Sequence, residues 1–235
     1  MIIKLKNSVN EQKANELGKE FQSFVIKQNG SFVLVTPNKL KAVEEKYKSF
    51  VDESFVFNDD IQLASKKFIG GTREVKIANE ISIGGTTHNT VVITGPCSVE
   101  SEEQIDQVAQ FCKKLGVKIL RAGAFKPRTS PYTFQGMGVD GLKLLDKMRS
   151  KYGLKIISEV RDSTHVQDII HYSDIIQIGA KSMYDHGILK TCAKVNKPVL
   201  LKRGFGTTLQ EFVQSAEFIL SGGNDQVILC ERGIR

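Results

Sequence analysis

VKILRAGAFKPRTSPYTFQG, residues 117–136, decides how the rest of this 235-residue chain is read. It opens on an apolar run, Val117 to Leu120, of the kind that forms a buried strand. It then turns at once into a loop carrying three cations (Arg121, Lys126, Arg128), two hydroxyl residues (Thr129, Ser130) and two prolines (Pro127, Pro131). Such a loop builds no core. It suits phosphate and carboxylate groups, because arginine offers a planar fork and lysine a point charge. The plain alternative is a solvated surface loop, since loops are usually polar. The surrounding pattern decides between them.

From Val91 onward, strand-like and helix-like segments alternate strictly. Strands are expected at 91–94, 117–120, 155–158, 175–178, 198–201 and 226–229, with amphipathic helices between them. Ile105, Val108, Ala109, Cys112 and Leu115 form one helical stripe, and Leu209, Phe212, Val213, Ala216 and Ile219 another. Each crossover is long enough for a right-handed parallel βαβ unit. Repeated βα units predict a (β/α)₈-type barrel or a doubly wound sheet. No G-x-G-x-x-G opens a helix, which weighs against a dinucleotide-binding sheet. The expected class is therefore α/β, a TIM-type barrel over residues 71–235 with about six strands present.

In such barrels the active site lies at the C-terminal strand ends. Here the second strand ends in Arg121 and leads to Lys126 and Arg128. The third ends in Glu159, the fourth leads to Lys181, the fifth ends in Lys202-Arg203, and the sixth leads to Arg232. Seven cations in one mouth repel each other unless anionic ligands neutralise them. The pattern points to a multiply charged substrate bearing phosphate and carboxylate. Salt bridges to neighbouring acids are the alternative for any single cation. Cys97 follows the first strand in Gly95-Pro96-Cys97-Ser98. A thiol in a cationic mouth has a lowered pKa and can act as nucleophile or soft metal ligand. His88, His165, His171 and His186 lie in helices or remote loops, so the metal role is favoured. Cys112 and Cys192 sit in helical stripes and read as core.

Residues 1–70 follow a different pattern, β-α-β-β-α-β, with strands at 2–6, 23–27, 32–36 and 53–57 and helices at 11–21 and 39–50. Asn29-Gly30 marks a hairpin and Pro37-Asn38 a helix start. The expectation is a small ferredoxin-like α+β domain, packing or regulatory in role. A hinge at Gly70-Gly71-Thr72 and a short hairpin at 74–77 and 80–83 precede the barrel. Net charge is +7, with 11 basic and 9 acidic residues in the first 70 positions. No basic stripe or recognition motif supports nucleic-acid binding. No run of about 18 apolar residues suggests a membrane span, and the N-terminus lacks signal-peptide features. A cytoplasmic protein without disulfides is expected.

GPCSVES (95–101), KPRTSPYTFQG (126–136), ISEV (157–160), IIQIGA (175–180), KPVLLKRGF (197–205) and ILCERGIR (228–235) together resemble the 3-deoxy-D-arabino-heptulosonate 7-phosphate synthases, in their order and spacing. The resemblance covers about residue 70 to the end, and the first 70 residues look like the regulatory domain of one branch. It implies condensation of phosphoenolpyruvate with erythrose 4-phosphate and water, releasing inorganic phosphate, in the first step of the shikimate pathway. It implies a divalent metal (Mn, Fe, Co or Zn) with Cys97 among its ligands. It assigns phosphoenolpyruvate to Arg121, Lys126, Lys202 and Arg232, and the aldose phosphate to Arg128 and Thr129, with Lys181 nearby. Lys126 and Glu159 would handle protons or water. An aromatic amino acid effector at the N-terminal domain and a homodimer or homotetramer are further implications. Lys181 stands where the family usually has arginine, Ala122 where it has glycine, and Arg161 where an apolar residue is common. Two further strands that carry the family's His, Glu and Asp ligands are not in this sequence, so the reading expects a C-terminally truncated, inactive chain with exposed sheet edges. The alternatives are the sister 3-deoxy-D-manno-octulosonate 8-phosphate synthases and a non-catalytic metabolite-binding protein.

Overall fold

The computed structural model describes every residue except Asn29, Asn38, Lys39, Pro127, Ile234 and Arg235. The hairpin signal at Asn29, the expected helix start at Asn38 and Lys39, and the loop proline Pro127 therefore lie outside the described residues.

Strand alternation sets the two faces of the N-terminal sheet. Its strands are β1 (Ile2–Leu5), β2 (Phe24–Gln28), β3 (Ser31–Val35) and β4 (Val51–Phe55). They pair in the order β2-β3-β1-β4, antiparallel throughout. Helix α1 (Glu11–Glu20) starts at Asn10, whose side chain accepts the Lys13 N–H at 2.9 Å. Ala14 and Leu17 of α1 pack on Ile3, Leu5 and Leu34. The opposite sheet face presents Ile2, Ile26, Val33 and Val35 to Phe57, Leu63 and Leu220.

The second helix expected at 39–50 is not formed. A 3-10 helix, Glu45–Phe50, takes its place, and Leu40 to Glu44 are irregular. No residue of that segment is fully buried, and packing of an apolar face is what stabilises a short helix. Its two aromatic contacts, Tyr47 and Phe50, are three residues apart and suit a 3-10 turn. A four-residue helix, α2 (Lys66–Ile69), not anticipated, ends at Gly70 with φ 76°, a left-handed cap suited to glycine. The expected hairpin follows as β5 (Glu74–Ala78) and β6 (Ile81–Gly84).

The remainder alternates as expected: β7 (Ile93–Thr94), α3 (Glu102–Lys114), β8 (Ile119–Arg121), α4 (Val139–Tyr152), β9 (Lys155–Val160), α5 (Val166–Tyr172), β10 (Ile175–Ile178), α6 (His186–Cys192), β11 (Val199–Lys202), α7 (Leu209–Ser221) and β12 (Val227–Cys230). The six strands are parallel neighbours in chain order, a curled half-barrel with β7 and β12 at its edges. The first strand is shorter than expected. Val92, at the β7 edge, and Leu229, on β12, are exposed.

Period-two alternation divides this sheet. Leu120, Ile156, Ile176, Ile178, Val199 and Leu201 face outward into the core shared with α3 to α7. Ile119, Ile157, Ile175 and Leu200 face inward and form a separate cluster with Ile77 and Ile81 of the β5–β6 hairpin. One step further along the same inner face lie Arg121, Glu159, Gln177 and Lys202. The barrel interior is thus apolar below and polar above, and the polar layer is at the C-terminal strand ends.

The N-terminal sheet is pinned to α7. The Glu217 carboxylate accepts the backbone N–H groups of Gln62 (2.8 Å), Leu63 (3.2 Å) and Ala64 (2.7 Å). Arg73 donates to the Leu63 carbonyl at 3.0 Å and pairs with Asp225 at 3.5 Å. Burial pushes the Glu217 carboxyl pKa up, against the opposing pull of those N–H groups and Arg73.

Candidate active site

The turn after β7 places a backbone carbonyl at the centre of the mouth. Gly95 has φ 148°, and a Cβ there would lie 2.1 Å from the Arg121 carbonyl oxygen, so only glycine lets the two strand ends approach this closely. Ser98 and Gly123 form a parallel bridge, with Val99 N–H donating to the Gly123 carbonyl at 3.0 Å. This holds the Cys97 carbonyl where it accepts from Lys126 Nζ (2.9 Å), Arg121 Nη1 (3.4 Å) and the Gly123 N–H (3.4 Å).

Lys126 is the most enclosed of the expected cations, at 9% exposure. Its ammonium also donates to Cys97 Sγ at 3.1 Å. That hydrogen bond holds the Cys97 thiol below the ordinary thiol range, helped by the charges of Lys126, Arg121 and Arg128 and opposed by partial burial. The Cys112 and Cys192 thiols are buried, and burial pushes Cys192 up to about 12. Of the four cysteines, Cys97 is thus exposed with a lowered thiol pKa, while Cys112 and Cys192 are buried with raised ones.

Arg121 makes the other polar cluster. Its Nε donates to Gln177 Oε1 and its Nη2 to Glu159 Oε2, both at 2.9 Å. Gln177 Nε2 donates to the same Glu159 oxygen. Gly179 closes this corner: a Cβ there would fall 2.2 Å from Glu159 Oε1. Gln177 escaped the sequence reading. The signal was present in IIQI, where a lone polar residue shares the inner face with Ile175.

The loop after Lys126 is closed on itself. Gln135 Nε2 donates to the Ser130 and Thr133 carbonyls (3.0 and 2.9 Å), and the Gln135 carbonyl accepts the Lys126 N–H at 2.9 Å. Arg128 and Thr129 are exposed on it. Lys181 is exposed in the 3-10 turn Ala180–Ser182 after β10. Lys202 ends β11, beside Cys230 of β12 in register. Arg232 stacks over the Phe205 ring at 4.2 Å. Arg203 departs from the expectation: it pairs with Glu231 at 2.8 Å and donates to the Thr207 carbonyl, which commits it to its own loop.

A metal site needs three or more donors. Cys97 has the right chemistry, a low-pKa thiol at the mouth. Among the described residues no group of three or more His, Cys, Asp and Glu side chains converges. These residues therefore supply one donor and do not by themselves make a complete site.

The curated phospho-2-dehydro-3-deoxyheptonate aldolase of Thermotoga maritima is 37% identical over the whole of this chain, which spans 71% of that protein. The crystal structure of the Thermotoga enzyme superposes with a TM-score of 0.72 at 36% identity, covering all of this chain and 70% of its own. A 2-dehydro-3-deoxyphosphooctonate aldolase of Fusobacterium nucleatum is more distant, 30% identical over 70% of this chain and 61% of its own length. Residues 72–235 match the sequence signature of the DAHP synthetase I family, and the chain belongs to that family.

Proposed function

We propose that the barrel mouth binds phosphoenolpyruvate and erythrose 4-phosphate for their condensation to 3-deoxy-D-arabino-heptulosonate 7-phosphate. The observation that carries this reading is the placement of Arg121 at the C-terminal end of β8 and Lys202 at that of β11 on one sheet, with Lys126 in the loop after β8 and Arg232 following β12. In this reading Arg121, Lys126, Lys202 and Arg232 hold the carboxylate and phosphate of phosphoenolpyruvate. Arg128, Thr129 and Lys181 hold the phosphate of the aldose. The methylene carbon of phosphoenolpyruvate forms the new bond to the aldehyde carbon, whose oxygen takes up a proton. Water adds to the phosphate-bearing carbon and gives up its protons, and the bond from that carbon to the phosphate oxygen breaks, leaving a ketone and inorganic phosphate. In this reading Lys126 and Glu159 move protons to or from that water. A divalent metal, when bound, would polarise the aldehyde, with Cys97 as one ligand.

The lengths of the two aldoses separate this from the sister reading. A seven-carbon product needs a four-carbon aldose phosphate, whereas an eight-carbon product needs a five-carbon one. The higher identity to the Thermotoga heptonate enzyme favours the first. Phosphorus NMR on the 235-residue chain tests it. Saturable phosphoenolpyruvate binding is expected, with erythrose 4-phosphate binding the loaded protein more tightly than a five-carbon aldose phosphate. No saturable phosphoenolpyruvate binding contradicts the reading, and the reverse aldose preference selects the sister one.

For residues 1–70 we propose a ferredoxin-like regulatory unit. Support comes from its strand order and from its attachment to α7, the helix between two mouth strands. An aromatic amino acid is the proposed effector, acting in a homo-oligomer. Protection of the 62–64 amides from hydrogen exchange should change on adding tyrosine or phenylalanine, and unchanged exchange with both counts against it. A cytoplasmic setting fits the absence, among the described residues, of a helix long and apolar enough to cross a membrane.

A further inference from the structure

Gln177 is a fully buried amide, at 1% exposure, in the middle of an inner-face strand. Burying an amide is unfavourable unless its polar atoms are paired, and here both are. The amide orientation is fixed by its neighbours. Oε1 meets the Arg121 Nε–H at 2.9 Å, and Nε2 meets Glu159 Oε2. The flipped amide would set donor against donor and acceptor against acceptor.

The consequence lies in Arg121. A guanidinium beside a carboxylate tends to close on it with two parallel N–H bonds. Glu159 and Arg121 are held instead by the single 2.9 Å bond from Nη2. Gln177 occupies the Nε–H and also donates to the same Glu159 oxygen. Gly179 leaves the room that Glu159 Oε1 needs in this arrangement. The Nη1 edge stays turned to the Cys97 carbonyl at 3.4 Å, the centre of the mouth.

We propose that Gln177 is a positioning residue: it prevents Arg121 and Glu159 from closing into a two-point ion pair, and so keeps the arginine fork presented to the anionic substrate and the carboxylate available beside it. The proposal rests on the phosphoenolpyruvate reading above. Gln177 itself touches no substrate and acts through Arg121 and Glu159.

The test uses the 235-residue chain and its Gln177→Leu variant, with two measurements. The first is exchange of the Arg121 side-chain Nε–H by nitrogen-edited NMR. The second is phosphoenolpyruvate affinity by calorimetry. The expected result is a protected Nε–H in the wild type, an Nε–H that stays protected in Q177L because Glu159 takes it over as the second point of the ion pair, and affinity lower by about tenfold or more. Wild-type binding with an equal affinity in Q177L, or a Q177L Nε–H that exchanges freely, overturns the role of Gln177. No binding by the wild type overturns the substrate reading and the positioning role with it. If Q177L does not fold, Gln177→Glu substitutes for it. That variant keeps the acceptor for Nε–H but sets a second anion against Glu159, and a wild-type affinity in it overturns the proposal equally.

Discussion

Two half-buried carboxylates sit in this molecule in opposite ways. Glu217, at the seam between the N-terminal sheet and α7, is satisfied by three backbone N–H groups and serves to hold two regions together. Glu159, in the barrel mouth, is met among the described residues by the side chains of Arg121 and Gln177. Backbone donors are fixed by the fold and fully committed. Side-chain donors can be shared with a ligand. The comparison teaches that polar burial identifies a site only when its partners can be exchanged. By that criterion the mouth suits the exchange of partners for a ligand, and the seam does not.

The strongest way to break this contrast is Lys126→Met. Losing a charge-assisted contact to phosphate or carboxylate removes about 1.5–3 kcal/mol, so phosphoenolpyruvate affinity should fall by about ten- to a hundredfold. The same change removes the main cause of the lowered Cys97 pKa. The pH midpoint of Cys97 alkylation should therefore move upward. An unchanged midpoint would mean that Lys126 does not set the thiol.

Glu217→Ala probes the other region. It leaves the three N–H groups without their acceptor, at about 1–3 kcal/mol for each buried donor that water does not reach. Denaturant unfolding should show a marked loss of stability, while phosphoenolpyruvate affinity stays at the wild-type value. A large loss of affinity would show that the seam and the mouth are one unit.

The pH response sharpens the same point. The folded-state pKa of Glu217 is raised by burial. Its contribution to stability is full below the ordinary glutamate range and declines as pH rises through the raised value. Glu217→Gln should remove that decline, giving a flatter stability profile above the ordinary carboxyl range. A smaller effect is expected from Phe205→Ala. It removes the ring under Arg232, a contact of about 0.5–1 kcal/mol, and should weaken phosphoenolpyruvate only about two- to fivefold in calorimetry.

Much of the barrel was legible because its strands are short apolar runs between amphipathic helices, and only the boundaries moved. The positions of Lys126, Arg121 and Cys97 followed from the strand-end rule. Gln177 did not, because attention to charge passes over a neutral side chain. Only its inward register beside Glu159 reveals its partners. Arg203 was overcounted as a mouth cation, since the turn that brings Thr207 and Glu231 to it depends on tertiary geometry. Glu217 reads as one more acid on a helix, because its partners lie about 155 residues away. The helix expected before Phe50 gives way to a 3-10 turn: Leu40, Val43, Tyr47 and Phe50 reach the N-terminal core only partly buried, and partial burial does little to hold a short regular helix.

One calorimetric series tests the central distinction most directly: phosphoenolpyruvate titrated into the wild-type chain, Lys126→Met and Glu217→Ala at one low salt concentration. Saturable binding to the wild type, binding weaker by about ten- to a hundredfold in K126M, and wild-type affinity in E217A are expected. Equal binding by K126M, or no saturable binding to the wild type, would contradict it.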